Sequence, residues 1–395
     1  MIYLPDIRKR ATSSHQQGDV GFQIRKWLIS TLSLVQKIPM LVIDKTVKVA
    51  LPKQFHFSNN ICAYLYDQLT EILVDKHYAE MHSTAIEFGE DEKLKKLLID
   101  EKVHAIDALH QTQKETELEI ILAKHIVMSL ISDMVNFIYE SIKVAQKGKM
   151  SVAFALLRKP FTDQLLILEQ ILIDRKDFIN RFFYIGNPDE YDPSSNKLQR
   201  AVIIERAVEK LNLLFSLNHE LVYELRYDKT CKWGINGVSN QALHIVTNDK
   251  RYKTAKQDLN FTFRVEGETE NYWEQYYCIL PMLLNHTAAI VDKIVFELIK
   301  DEEGVRGSKE LKRFLAILMT YNSKEESKSM YKLLQQIFIS TCSICCHLNK
   351  FNKSDFHMFF YESRFFCKKC FNPIKIEISA INNFSDAFRK HPETV

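Results

Sequence analysis

The stretch "EDEKLKKLLIDEKVHAIDALHQTQKETELEIILAKHIVMSLISDMVNFIYESIKVAQKG" (residues 90–148) decides the fold class. It contains no proline, and its first glycine is Gly148. A segment of this length without a helix breaker predicts one very long helix or two collinear helices. Its first half is polar and its second half apolar, which predicts an arm that projects from the protein and continues into the core.

The composition of the whole chain also favours helices. Among 395 residues, 46% are apolar and 26% charged, while glycine (10) and proline (9) are both scarce. The length suits two or three domains with a substantial core. The net charge of +3 gives no basic field over the whole molecule. Residues 67–119 carry 14 acidic and 6 basic side chains, whereas residues 226–256 carry 7 basic and 2 acidic ones. Any electrostatic attraction for a partner is therefore local.

No segment predicts export or a membrane anchor. The first twenty residues lack an apolar core, and "WLISTLSLV" (27–35) lies late and has no small-residue cleavage pattern. The most apolar stretch, residues 120–139, contains Lys124, His125 and Asp133, so it does not predict a clean membrane span. We therefore predict a cytoplasmic protein without a membrane partner. In that compartment paired cysteines indicate metal binding more often than a disulfide.

The chain divides into five parts by its pattern. We predict an N-terminal segment (1–58) that ends in a strand or extended arm, a helical body (59–304), a helical connector (305–341), a zinc ribbon (342–380) and a tail (381–395). Within the body, Pro160 should kink or divide the helix over 150–174. Residues 228–270 lack a sustained helical period, and residues 300–309 are the best domain boundary. The predicted fold class is mainly α, a helical bundle with a long helical arm and a small zinc ribbon.

Four cysteines near the C-terminus form two Cys-x-x-Cys pairs. They are Cys342 with Cys345 and Cys367 with Cys370. Two cysteines three positions apart can direct both sulfurs at one ion, and two such turns complete a tetrahedral four-thiolate shell. The spacing therefore predicts one structural Zn²⁺ held by these four residues. Cys346 or His347 remains an alternative ligand in the first pair, and a metal-free thiol cluster is the alternative to the whole site.

Aromatic and basic residues surround the second cysteine pair. "DFHMFFYESRFFC" (355–367) predicts a two-stranded ribbon, and "NPIKIEIS" (372–379) predicts a third strand. Arg364, Lys368 and Lys369 lie beside Phe365, Phe366 and Phe371, a composition that suits phosphate contact and base stacking. The alternative is that the phenylalanines fill the core of the ribbon and the lysines are solvated.

Two segments of the body carry a family resemblance. "ALLRKPFTDQLLILEQIL" (155–172) places Arg158 and Glu169 in a leucine-rich helix, and "GVSNQALHIVTNDKRYK" (237–253) contains Asn240, three residues and then His244. Over residues 118–300 this resembles all-α HEPN-type proteins of prokaryotes. That family has an Arg, a polar residue, three residues and a His. The Arg is absent at its usual place here, so either Arg158 substitutes for it or the site is inactive.

The resemblance implies a dimeric RNase of a toxin or phage-defence system that needs no metal for catalysis. His244 would be the general acid or base, with Asn240 and Arg158 at the phosphate. A basic segment surrounds His244, and with the ribbon lysines it gives the candidate RNA contacts: Lys232, Lys250, Arg251, Lys253, Lys256, Lys368 and Lys369. Arg158 and Glu169 share a helical face, which also predicts an ion pair across the core. The rival prediction is a non-catalytic scaffold whose long helix mediates self-association or docks a protein partner.

Several enzyme classes are disfavoured because their motifs are missing. The sequence has no Gly-x-Gly-x-x-Gly, no Walker motif and no Gly-x-Ser-x-Gly. Nucleotide-dependent enzymes and serine hydrolases of these types are therefore not predicted.

Overall fold

The protein is mainly helical, which confirms the predicted fold class. The computed structural model describes residues 41–43, 47–86, 91–101, 103–213, 217–231, 233–246, 254, 256–257, 259, 268–300, 303–321, 332, 335, 339–350, 355, 359–360 and 364–375. Residues 1–40 of the predicted N-terminal segment and the predicted tail lie outside these ranges.

Twelve α-helices are found in the described part of the chain. They are α1 His56–Val74, α2 Glu92–Lys95, α3 Ala105–Gln111, α4 Glu115–Ala145, α5 Met150–Arg158, α6 Leu165–Ile173, α7 Arg175–Ile179, α8 Arg200–Leu211, α9 His219–Arg226, α10 Ile235–Leu243, α11 Glu268–Ile299 and α12 Glu303–Tyr321.

Two long helices form the centre of the bundle. Helix α11 packs against α1, α6 and α12, and α4 packs against α1 and α5. Where α4 meets α5 and α11, the Ser141 and Tyr276 hydroxyls lie 2.7 Å apart, and the Tyr276 ring meets that of Phe154 edge-on. Both rings are fully buried. Burying side chains of this size stabilises the bundle by roughly 1.5–3 kcal/mol each before entropy is counted.

The stretch 90–148 is helical but not continuous. Its apolar half forms the 31-residue helix α4, whereas the polar half is divided into α2, a π-helical turn Lys96–Asp100 and α3. Gln113 has a φ of 58°, which ends the helical path just before α4. Leu94 and Leu109 are buried, so this half packs on the body and does not project from it as an arm. The prediction of one helix or two collinear helices is therefore wrong in this part.

The sequence also made predictions for the helix break at Pro160, for residues 228–270 and for residues 300–309. The helix over 150–174 is divided as Pro160 predicts, by a π-helical turn Lys159–Gln164 between α5 and α6. The irregular region 228–270 contains helix α10, which the periodicity did not indicate. The segment favoured as a boundary, 300–309, is helical from Glu303, and α12 packs against α1 and α11.

The C-terminal part contains four short strands in two antiparallel hairpins. Strand β1 (Ile339–Thr341) pairs with β2 (Leu348–Lys350), and β3 (Arg364–Phe366) pairs with β4 (Pro373–Lys375). The predicted strand at 372–379 is thus present in part as β4. Each cysteine pair lies in the turn of one hairpin, and β3 lies at the end of the predicted ribbon 355–367, most of which is outside the described residues.

The hairpins share a core with the helices. Phe359 and Phe360 are buried, and the Phe360 ring lies 5.1 Å from that of Tyr64 in α1, centroid to centroid. Cys342, Cys367 and Ile374 belong to the same continuous apolar cluster as the bundle.

One described helix is long and apolar enough to cross a membrane. It covers Glu270–Ile299, and 89% of its most apolar window is buried inside the protein. Such burial is typical of a helix in the core of a folded protein.

Candidate metal centre and nucleic-acid interface

The four predicted metal ligands come together at the ends of the two hairpins. One sulfur from each of Cys342, Cys345, Cys367 and Cys370 lies within 4.8 Å of the other three. The separation is 3.6 Å between Cys342 and Cys370 and 3.5 Å between Cys345 and Cys367. These distances are far longer than a disulfide bond. A tetrahedral ion with metal–sulfur bonds of about 2.3 Å requires sulfurs about 3.8 Å apart. The four residues therefore fit one metal ion.

The two cysteine turns have the same backbone geometry. The Cys346 N–H donates to the Cys342 carbonyl at 2.9 Å, and the Phe371 N–H donates to the Cys367 carbonyl at the same distance. Cys346 and Phe371 both adopt a left-handed conformation, with φ of 54° and 58°. Cys346 is thus the exposed residue that closes its turn, in the position equivalent to Phe371. This equivalence favours Cys345 over Cys346 as the ligand.

Backbone N–H groups lower the pKa of two of the four thiols. The N–H groups of Cys345 and Ile344 lower the pKa of Cys342. Burial alone would raise the pKa of Cys367, but the N–H groups of Cys370 and Lys369 lower it to about 6. Such N–H donors stabilise negative charge on sulfur, and thiolate is the form that binds a metal.

Asn349 connects the two hairpins behind the sulfurs, and the sequence analysis did not single it out. Its amide donates to the His347 carbonyl at 2.8 Å and to the Cys367 sulfur at 3.5 Å. Its side-chain oxygen accepts from the Lys368 N–H at 2.8 Å. Asn349 is fully buried, so it holds the second cysteine turn against the first strand pair. Partners of this kind orient metal ligands.

The second hairpin has one apolar and one mixed face. Phe365 and Ile374 lie opposite each other and are buried, while Phe366 lies opposite Pro373 on the other face and is 38% exposed. Alternation along a strand produces this division. At the turn, Phe371 is 76% exposed and Lys369 is exposed beside it. Phe365 therefore fills the core of the hairpin, whereas Phe366 and Phe371 are exposed.

The predicted ribbon lysines differ in their surroundings. The Lys368 ammonium contacts both carboxylate oxygens of Asp355, at 2.6 and 2.8 Å. Lys369 carries its charge at the exposed turn. In the body, Lys256 is exposed, whereas Lys232, Lys250, Arg251 and Lys253 lie outside the described residues.

The residues suggested by the family resemblance lie on two packed helices. Helix α10 packs against α5, and the Ser239 hydroxyl donates to the Phe154 carbonyl at 3.0 Å. His244 is exposed and follows the last residue of α10, and the half-buried Arg158 ends α5. A side chain at Gly234 would lie 3.0 Å from the Glu224 carbonyl, so glycine allows α10 to start close to α9. The side chain of Asn240 lies outside the described part.

Glu169 does form an ion pair across the core, but its partners are residues that sequence reasoning missed. The Arg226 guanidinium donates to its Oε1 at 2.6 Å, and Nε2 of His286 donates to the same oxygen at 2.9 Å. All three side chains are buried. Burial would raise the pKa of Glu169, but Arg226 and His286 together lower it below its usual range. The available signal for Arg226 was its helical spacing from Val222, which is also buried.

No family model, curated protein or solved structure matches this chain. The fold and the sulfur geometry define its class: a mainly α protein with a four-cysteine metal site built on two short hairpins.

Proposed function

We propose that this protein holds one structural zinc ion and binds single-stranded RNA through the second hairpin of its C-terminal part. The observation that carries the proposal is the exposure of Phe371 and Phe366 on a hairpin whose turn also presents Lys369. An exposed aromatic ring costs free energy in water. Such rings beside cations are the usual platform for stacking unpaired bases.

Zinc is the metal that suits the site best. Four thiolates in a tetrahedral arrangement favour zinc or an iron–sulfur centre. A shell closed by four protein ligands leaves no position for substrate, so the ion is structural. Its role is to fix the left-handed turn that presents Phe371.

RNA is favoured over a protein partner by the chemistry of the second hairpin. Phe366 lies on the face of β3 opposite to the buried Phe365, and the cation at the exposed turn is Lys369. The first hairpin exposes three large apolar side chains, Ile339, Ile344 and Leu348, and Ile344 at its turn is 71% exposed. A protein partner would use the first hairpin, and a nucleic acid the second. This difference provides a matched control.

The test is fluorescence anisotropy of a labelled single-stranded oligonucleotide with the zinc-loaded chain. Removing one stacking ring costs about 1–3 kcal/mol, so Phe371→Ala should weaken binding by about 5- to 150-fold, with a smaller loss for Phe366→Ala. Ile344→Ala, an equally exposed change in the other turn, should leave affinity unchanged. Affinity should fall as salt rises. Absence of binding at low salt, or an equal loss in Ile344→Ala, contradicts the proposal.

Cleavage of the bound RNA is the second candidate function. The observation that favours it is the packing of α10 on α5, because the exposed His244 directly follows α10 and Arg158 is the last residue of α5. An exposed imidazole can reach a phosphodiester and can act as a general acid or base. Wild type should cleave total RNA with no added divalent metal, and His244→Ala should retain binding but lose cleavage. Equal activity in the two proteins would overturn this candidate.

The alternative of a scaffold that associates through its long helix has weaker support. Helix α4 has buried residues along its whole length, from Leu118 to Ala145, because it is a central element of the bundle. Size-exclusion chromatography with light scattering tests for self-association through any other surface.

A further inference from the structure

A cavity lies between the end of α6, α7, the loop 186–199 and the first two turns of α8. Its volume is about 550 Å³, within the range of small-molecule sites. The described lining residues fall between Gln170 and Arg206, and the structure describes every residue of that stretch. The proposed function does not use this part of the protein.

Arg181, in the π-helical turn Asn180–Ile185, has a guanidinium that is held in one orientation. Its Nε donates to Asp177 Oδ2 at 2.8 Å, and its Nη1 donates to Gln170 Oε1 at 3.0 Å and to the Glu190 carbonyl at 2.6 Å. The side chain of Gln170 is buried. Among the described residues, none accepts a hydrogen bond from Nη2. Arg181 lines the cavity, so Nη2 is a positioned donor for a ligand.

A second guanidinium in the lining belongs to Arg206 of α8. Helix α8 packs along α6. Leu166 and Ile204, in the early turns of the two helices, share one apolar cluster, and the Lys210 ammonium donates to the last carbonyl of α6 at 3.1 Å. The two helices are therefore parallel, and Arg206 is at the level of Gln170, which already holds the first guanidinium. Arg206 is exposed, and the described residues give its side chain no hydrogen bond.

Carboxylates line the same cavity, and the basic residues already engage two of them. Asp177 accepts from Arg181, and Asp189 accepts from the Lys197 ammonium at 2.8 Å. The charge of Glu190 also acts on Lys197, so one ammonium faces two carboxylates. The Glu190 carboxylate accepts no hydrogen bond from the described residues, although its backbone carbonyl contacts Arg181. The cavity therefore presents both donors and an acceptor to a ligand.

We propose that this cavity binds a short peptide of about two or three residues with free termini. Arg181 and Arg206 hold the peptide carboxylate, and Glu190 holds its ammonium group. The described lining contains three basic and four acidic side chains, including Asp174, which caps α7. A ligand with several charges of one sign is therefore repelled by part of this wall, whereas a zwitterion finds a partner for each charge. Guanidinium groups also match the planar geometry of a carboxylate.

The apolar part of the lining suits the side chains of such a peptide. Ile173, Leu198 and Ile203 line the cavity, and each is half-buried. An apolar ligand side chain that covers them removes their remaining surface from water. The expected ligand is thus a peptide with branched aliphatic residues.

Isothermal titration calorimetry of the zinc-loaded full chain with dileucine, dileucine amide and N-acetyl-dileucine tests the proposal. Dileucine should bind, and each blocked peptide should bind about tenfold more weakly or worse, because it lacks one charged terminus. Arg206→Gln should weaken dileucine binding by a similar factor and leave the affinity of the amide unchanged. Glu190→Gln should weaken dileucine binding and leave the affinity of N-acetyl-dileucine unchanged.

Lys176→Gln is the matched control, because it removes an exposed charge of α7 that lies outside the lining, and it should change none of these affinities. The proposal is overturned by absence of dileucine binding at about 1 mM, by equal affinities for dileucine and its amide, or by an equal loss in Lys176→Gln. An Arg206→Gln variant that loses both peptides equally also contradicts it. Phe371→Ala should bind dileucine as wild type does, and a loss there would contradict a site separate from the RNA surface.

Discussion

At the scale of single residues, the body contains a buried ion pair. Glu169 and Arg226 are fully buried, and the guanidinium also donates to the Phe161 carbonyl at 2.6 Å. Burying both charges costs desolvation free energy. Removing one partner costs more, because the other charge then remains unpaired in the core. Its role is to link α6, α9 and α11.

We expect Arg226→Met to lower the free energy of unfolding by about 3–5 kcal/mol, because it leaves Glu169 buried without its main partner. The double variant Arg226→Met/Glu169→Leu should recover a large part of that loss. Urea unfolding of the wild type, both single variants and the double variant gives the coupling energy. Strict additivity of the two single losses would show that the residues do not act as a pair.

The same cluster predicts a sensitivity to acid. The folded-state pKa of Glu169 lies below its unfolded value. The unfolded chain therefore takes up a proton first as pH falls, and the stability from Glu169 is lost from about pH 4.5 downward, through the folded pKa. Urea unfolding at pH 6 and pH 3.5 should show a smaller loss in the double variant than in wild type. An equal loss in both proteins contradicts this assignment.

A second buried cation lies beneath the C-terminal hairpins. The Lys312 ammonium donates to the Phe360 carbonyl at 3.0 Å and lies 5.8 Å from the centroid of the Phe359 ring. Burial lowers its pKa to about 8. Between this value and the ordinary one near 10.5, the unfolded chain binds more protons than the folded chain. The contribution of Lys312 to stability therefore rises with pH across that window.

We expect Lys312→Met to remove this pH dependence. At pH 7 the wild type contains a buried charged lysine, and at pH 9.5 that lysine is neutral in the folded protein. The free energy of unfolding of the variant, relative to wild type, should therefore be higher at pH 7 than at pH 9.5. Urea unfolding at the two pH values measures the difference, and Lys350→Met, at an exposed position of β2, is the control. A relative stability that is the same at both pH values would show that Lys312 does not titrate in this window.

At the scale of elements, Asn349 makes three hydrogen bonds, and two of them, to Cys367 and Lys368, connect the two hairpins. We expect Asn349→Leu, which keeps the size and removes these bonds, to lower stability by about 1–3 kcal/mol and to speed loss of the metal to a chelator. The rate of metal release, followed with a coloured zinc indicator, is the measurement. Asn372→Leu, in the second turn, should release metal at the wild-type rate.

The elements also show how far the sequence could predict this structure. Cysteine spacing predicted that these four sulfurs come together, because four ligands around one ion leave little geometric freedom. Pro160 predicted the break between α5 and α6, because a proline disrupts a helix at its own position. The division of the polar half of 90–148 into short helices could not be predicted. It depends on the packing of Leu94 and Leu109 against the body, and this packing involves residues far away in sequence. Strand β1 replaces the end of a predicted helix because it pairs with β2 across the cysteine turn.

Arg226 and Asn349 were missed for a related reason. The roles of both depend on partners that lie far away in sequence, Glu169 for Arg226 and Cys367 for Asn349. A local sequence pattern does not indicate which distant residue will become the partner. The helical spacing of Arg226 placed it on a buried face but could not show that a carboxylate lay opposite.

At the scale of the whole molecule, the metal site and the bundle share one core. Phe360 packs on Tyr64, and Phe365 and Cys367 belong to the same apolar cluster as the central helices. We therefore expect a metal ion bound by the four cysteines to stabilise the helical body as well. Chelation of the metal under reducing conditions should lower the melting temperature of the helical signal in circular dichroism. A melting curve that is unchanged by chelation would show two independent units.

The most direct test of the whole account is the metal content of the chain purified under reducing conditions. Elemental analysis should find one zinc per chain in the wild type and in Cys346→Ser, and much less in Cys345→Ser, because Cys345 is a ligand and Cys346 closes the turn. Wild-type protein without stoichiometric metal would contradict the account. So would a Cys346→Ser variant that loses zinc while Cys345→Ser retains it.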